Sequence, residues 1–71
     1  MDQIIYISLL DEGTSVYRPV MAEKISKDIY KIKSDFYDSK DEDWEFLPGS
    51  LVCVELKELS GQEVLVATKL F

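Results

Sequence analysis

The stretch PGSLVCVELKELSGQEVLVATK, residues 48–69, decides the fold. Pro48 and Gly49 begin it with a strong turn signal, and Ser60 and Gly61 supply a second turn in its middle. The runs that follow the two turns are rich in valine and leucine and have the length of strands. Two strands joined by so short a turn must be antiparallel, because a parallel pair needs a crossover of about a dozen residues. The stretch therefore predicts a β-hairpin.

The chain before residue 48 continues this alternation of strands and turns. Pro19 has no N–H for a ladder and marks an edge, a bulge or a bend in its strand. Residues 20–25 could instead form a helical turn, and residues 44–46 a short strand or a loop edge. Apolar alternation slips after Glu55, which predicts a bulge. The predicted strands occupy residues 3–10, 16–25, 29–33, 50–59 and 63–69.

A chain of 71 residues has room for one domain, residues 1–71. A two-sheet sandwich would need more chain than five strands provide. The sequence therefore predicts an all-β fold, a small five-stranded antiparallel SH3-like barrel or a strongly bent meander, which also limits exposed strand edges. Both faces of the first and last strands are apolar enough to be buried, so register and barrel closure stay open.

Three phrases in fixed order carry a resemblance to known proteins. They are LLDEGTxVxRPV at residues 9–20, YD at 37–38 and DExWEFxPGSxV at 41–52. In this order they resemble a group of small uncharacterised bacterial proteins. The resemblance implies a bacterial source and a compact single domain, and it implies no reaction. Tyr17 stands where a tryptophan is expected more often, a departure that suits an aromatic packing role.

The charge balance limits the possible partners. Fourteen acidic residues against eight basic ones give a net charge of -6. Because binding to phosphates or to an anionic membrane needs clustered lysine and arginine, we expect neither nucleic-acid nor membrane binding. An acidic surface suits a basic protein partner or serves solubility alone. The apolar runs are shorter than a membrane span and no positively charged leader is visible, so we expect a cytoplasmic location.

The sequence lacks the residue pairings on which most nucleophilic and acid–base catalysis depends. There is no histidine, and the single cysteine, Cys53, therefore has no base to activate it. Cys53 lies in an alternating apolar run, where a small buried side chain is the ordinary role. No glycine-rich phosphate loop occurs. We therefore expect a protein that is not an enzyme and needs no cofactor.

The densest candidate site is the run of acidic and aromatic residues from Asp35 to Phe46. An EF-hand loop that starts at Asp41 would place Phe46 where glycine is required, so no metal site is predicted. A weak non-motif cation site, a docking surface for a basic partner and a solvated loop stay open as interpretations. The candidate partner-binding residues are Tyr37, Asp41, Glu42, Asp43, Trp44 and Glu45.

Trp44 and Arg18 each have two interpretations. The aromatics of this run, Trp44 among them, either anchor a partner or cap an open end of the barrel. Arg18, the only arginine, either forms an ion pair with Asp11 or Glu12 that fixes the first turn, or reads a carboxylate or phosphate ligand.

Three functions fit these features. The first is a non-catalytic protein-interaction or regulatory module that recognises a basic surface. The second is an inhibitor or immunity-type protein that neutralises a basic toxin or nuclease. The third is a structural subunit that forms a homodimer through free strand edges, so the chain is expected to be a monomer or a homodimer.

Overall fold

The computed structural model of the chain describes residues 2–10, 16–33 and 44–71. Its strands close into a barrel in the order of the sequence. This confirms the prediction of a small all-β, five-stranded barrel of the SH3-like kind. The strand that contains residues 20–25 is continuous, so the alternative of a helical turn there is wrong. The strands are β1 (Asp2–Ser8), β2 (Tyr17–Ser26), β3 (Ile29–Ile32), β4 (Leu51–Leu59) and β5 (Gln62–Leu70).

The barrel closes through a parallel contact between its first and last strands. Each pair of strands that is consecutive in sequence is antiparallel, as the short turns predict. In a meander with an odd number of strands the first and last run in the same direction, so β1 and β5 can meet only in parallel. Their ladder consists of one pair, Tyr6 with Val66. The seam, whose closure the sequence left open, is therefore a parallel contact in a barrel whose consecutive strands are antiparallel.

Glycines with positive φ set the two turns of the deciding stretch. Leu59 pairs with Gln62 across a two-residue turn in which Ser60 has φ 52° and Gly61 has φ 82°. Positive φ at both central residues is the type I′ geometry, whose twist matches that of the flanking strands. In the Pro48–Gly49 turn, Gly49 has φ 89° and the Ser50 N–H donates to the Leu47 carbonyl at 3.1 Å, the type II pattern.

Gly61→Ala tests the hairpin turn. No atom lies within 4 Å of a Cβ built on Gly61, so the substitution meets only the cost of positive φ. We expect it to lower the free energy of unfolding by about 1–2 kcal/mol, measured by urea denaturation. Ser60→Gly is the matched control. It places glycine, which adopts positive φ without strain, at the other central residue of the turn, so stability should stay equal or rise slightly. Equal stability of Gly61→Ala and wild type would contradict the assigned turn.

The bulge between β4 and β5 differs from the predicted one. Cys53 pairs with Lys69 and Val54 with Ala67, so the extra residue is Thr68, on β5. The Thr68 hydroxyl donates to the Cys53 carbonyl at 3.4 Å. The slip in alternation after Glu55 does not come from this bulge. The next inward-facing position of β4, Leu56, lies beyond the end of the core and is 60% exposed.

The core is formed by the side chains of alternate strand positions that point inward. β1 contributes Ile5 and Ile7, and β3 contributes Tyr30 and Ile32. Trp44 joins them from outside the strands, because Leu9 forms an isolated antiparallel bridge with Trp44 and the Glu45 N–H donates to the Ser8 carbonyl at 2.9 Å. The other buried members of this cluster are Val20, Ala22, Phe46, Val52, Val54 and Ala67.

Pro19 lies in β2 at a position where no described strand pairs with its outer side, which fits the edge among the three positions predicted for it. It pairs with Tyr6 of β1. The carbonyl of Met21 accepts from the Lys33 N–H at 3.0 Å, so Met21 faces β3 with its backbone groups. The backbone of Pro19, two residues earlier, faces the same side, at a position beyond the last residue of β3. Its missing N–H therefore interrupts no ladder in the described part of the barrel.

Candidate functional site

A groove opens on the outside of the barrel, next to the seam between β1 and β5. It has a volume of about 580 Å³. One wall comes from β1 and the start of β2, and the other from the tip of the β4–β5 hairpin. We call it the seam groove. Its lining residues are Tyr6, Val16, Tyr17, Leu59, Ser60, Gln62 and Val64.

Strand register explains why these side chains face outward. Ile5 and Ile7 point into the core, so Tyr6 between them points out. Ser8 is two residues after Tyr6, so its side chain faces outward as well. Tyr17 lies opposite Ser8 and therefore also faces outward. On the other wall Leu59 pairs with Gln62, and Val64 follows two residues later on the same face.

Val66 is a buried residue at the seam, next to the groove. It pairs with Tyr6 and Glu55, which places its side chain on the outer face, yet it is only 2% exposed. It does not belong to the cluster inside the barrel. Val66 is therefore buried on the outer face of the barrel, beside the seam, and apart from the cluster inside it.

The chemistry of the seam groove suits binding. Among the residues that the structure describes, those lining the groove carry no carboxylate, amine, imidazole or thiol. Hydrogen bonds can come from two phenol hydroxyls, the Ser60 hydroxyl and the Gln62 amide. Tyrosine presents a broad apolar ring and a polar tip, which is why it is frequent at protein contacts. Cys53 is half-buried on β4 and is not among the lining residues.

Charge is distributed unevenly along the chain. The described residues carry seven acidic and seven basic side chains. Residues 11–15 and 34–43 carry the other seven acidic side chains and one basic side chain, Lys40. The whole net charge of -6 therefore belongs to these two segments, which we call the acidic segments.

The residues that directly follow the two acidic segments lie close together at one end of the barrel. Val16, which follows residues 11–15 directly, lines the seam groove, and its carbonyl accepts from the Leu9 N–H at 2.9 Å. Trp44, which follows residues 34–43 directly, forms its bridge with the same Leu9. The chain thus re-enters the barrel after each acidic segment beside the end of β1 and the start of β2, whereas Lys33, which precedes residues 34–43, bonds to Met21 and Asp2.

The residues predicted to bind a partner have different positions. Tyr37, Asp41, Glu42 and Asp43 lie outside the described residues. Glu45 is exposed at the surface. Trp44 is 2% exposed and packs in the core. The interpretation of Trp44 as a surface anchor is therefore corrected, because its ring supplies core area that a small barrel needs.

Arg18 is half-buried and opposite Ile7 in the β1–β2 ladder. Asp11 and Glu12 lie outside the described residues, so their ion pair with Arg18 stays a prediction.

Sequence reasoning did not identify the seam groove. Its residues come from three places in the chain, and none of them forms a motif. The available signal was the apolar character of both faces of the first and last strands. This signal left closure open, because an outer apolar face can be covered by a neighbouring strand or by a partner.

Comparison of the chain with models of known protein families, with curated proteins and with solved structures gives no match. Within residues 2–10, 16–33 and 44–71, no group of three or more side chains of the metal-binding types comes together. In the same ranges no helix is long and apolar enough to cross a membrane.

Proposed function

We propose that the protein is a non-catalytic interaction module of bacterial cytoplasm that binds a partner protein with a basic surface. The observation that carries this proposal is the seam groove. It is a concave apolar surface with tyrosines on one wall, and its described lining residues offer hydrogen-bonding groups but no carboxylate, amine, imidazole or thiol for acid–base or nucleophilic chemistry.

Electrostatics indicates the kind of partner. The acidic segments are followed by Val16, which lines the seam groove, and by Trp44, whose bridge partner Leu9 bonds to Val16. A partner that reaches the groove is therefore close to the residues that directly follow the two acidic segments. Complementary charge raises association rates and excludes acidic partners, so a basic protein surface is favoured.

A pull-down from a bacterial lysate tests this function. The wild type is compared with the triple variant Asp41→Asn, Glu42→Gln, Asp43→Asn, and captured proteins are identified by mass spectrometry. We expect one stoichiometric partner that binds the wild type and is lost or strongly reduced with the triple variant. Binding to the wild type should weaken as salt increases, since exposed charges are screened over about 10 Å at 0.1 M salt.

A charge-matched variant provides the control. Glu23→Gln, Glu55→Gln, Glu58→Gln changes the net charge by the same amount at exposed positions on the barrel strands. We expect it to keep the partner. Absence of any stoichiometric partner would contradict the interaction function. Equal loss with both variants would show that the carboxylates at positions 41–43 act only through the net charge of the protein.

The inhibitor function is a narrower form of this proposal. It requires that the captured partner be an enzyme, such as a nuclease, and that its activity disappear in the complex. An assay of the captured complex separates the two functions. The homodimer function needs a free edge on β1 or β5, and the single pair between these strands, Tyr6 with Val66, covers only part of each edge.

A further inference from the structure

We propose that an extended basic segment of the partner adds as a strand to the edge of β5 at residues 62–65, with its apolar side chains in the seam groove. This inference rests on the proposed function and specifies how the partner binds. Strand addition takes its affinity from backbone hydrogen bonds and its specificity from pockets for alternate side chains.

The first argument is the edge of β5. β5 pairs with β4 from Gln62 to Leu70, but its ladder with β1 is limited to Val66. Gln62 and Leu59 flank a two-residue turn, and such residues exchange their hydrogen bonds with each other. Because backbone groups alternate in direction along a strand, Glu63 faces away from β4. In the described barrel no strand pairs with β5 on that side of Glu63.

The second argument is the position of the groove. Gln62 and Val64 lie on either side of Glu63 in β5, and both line the seam groove. An added strand has side chains that alternate between its two faces, so every second one would lie on the groove face. There it would contact Val64 on one side and Tyr6 on the other. The edge and the groove therefore fit the same extended occupant.

The third argument is charge, which distinguishes a basic segment from a second copy of the chain. Glu63 itself lies at the edge, and residues 11–15 precede the groove residue Val16 with two carboxylates. A second copy would bring another net charge of -6 and another Glu63 to this edge. Like charges across a strand pair are destabilising, whereas lysine or arginine on the added strand is attracted.

Peptide selection provides a probe. A phage library of random 12-residue peptides is panned on the immobilised full chain at low salt. We expect enriched peptides in which apolar residues alternate with lysine or arginine. A synthetic labelled copy of the most enriched peptide is then titrated with the protein, and the dissociation constant is read from fluorescence anisotropy.

Two variants at one position test the edge. Glu63→Pro removes the N–H that faces away from β4 and leaves the β4–β5 ladder in place. Glu63→Ala removes the same charge and keeps the N–H. We expect Glu63→Pro to weaken the peptide at least tenfold and Glu63→Ala only about threefold, since a strand that loses its backbone partner also leaves a polar group unpaired. Circular dichroism confirms that both variants remain folded.

Two variants on opposite hairpin faces test the groove. Leu59→Ala shortens a groove residue, and Leu56→Ala shortens an exposed leucine of the same strand on the other face. We expect weaker peptide binding for Leu59→Ala and unchanged binding for Leu56→Ala.

Three results would overturn strand addition. They are failure to enrich any peptide, equal affinity of wild type and Glu63→Pro, and a wild-type dimer in light scattering that Glu63→Pro converts to monomer. The last result would assign the edge to a second copy. None of them affects the lysate pull-down, so a partner that is captured there while the peptide binds Glu63→Pro normally would retain the interaction function and reject this mode of binding.

Discussion

Trp44→Ala is expected to remove most of the folding stability of this protein. Trp44 is 2% exposed and is among the largest fully buried side chains in the described barrel. Truncation of a buried tryptophan costs about 3–5 kcal/mol, through lost transfer energy and the cavity left behind. A core of this size rarely supplies more than about 3–5 kcal/mol in total. We therefore expect the variant to be largely unfolded at 25 °C by circular dichroism.

Two measurements check the origin of this loss. Phe71→Ala removes an aromatic ring that is 75% exposed, and its unfolding midpoint should stay close to that of the wild type. Trp44 is the only tryptophan, so the fluorescence of the native protein reports its environment directly. A blue-shifted emission maximum that moves to the red on unfolding is expected. A native maximum typical of water would contradict the buried position.

Ile5→Ala is the second substitution with a large expected effect, and Ile4→Ala is its matched control. The two residues are neighbours in β1 and have the same side chain, but Ile5 is 0% exposed and Ile4 is 54% exposed. We expect Ile5→Ala to lower the free energy of unfolding by about 2–5 kcal/mol and Ile4→Ala by less than about 1 kcal/mol. Urea denaturation measures both.

The comparison of the two isoleucine variants tests the register of β1. A shift of one residue would exchange the inner and outer faces of the strand. Equal losses would indicate that both faces are buried, and a larger loss at Ile4 would indicate a shifted register.

Local signals in the sequence were sufficient for the strands and turns. The alternation from Ile29 to Ile32 predicts β3, and the Ser60–Gly61 pair predicts the hairpin, because each depends on neighbouring residues alone. The extra residue Thr68 was not predictable in this way. Its position depends on how far β4 and β5 must bend to close the barrel, and this is set by contacts between distant segments.

The seam groove was unpredictable for a related reason. Tyr6, Tyr17 and Val64 become neighbours only when the barrel closes, and no spacing in the sequence records that closure. Trp44 shows the opposite error, because its acidic neighbours in the sequence suggested a surface role. Its bridge to Leu9 directs the ring inward whatever the polarity of the adjoining residues.

The single parallel pair between Tyr6 and Val66 also has a consequence for the order of folding. These residues lie near opposite ends of the chain, so joining them closes a loop of almost the whole polypeptide, whereas the β4–β5 hairpin closes a turn of two residues. The entropic cost of loop closure grows with loop length, and contacts between distant residues slow folding. We expect the hairpins to form early. The contact between the terminal strands should form last and slowly, when the rest of the barrel is already assembled.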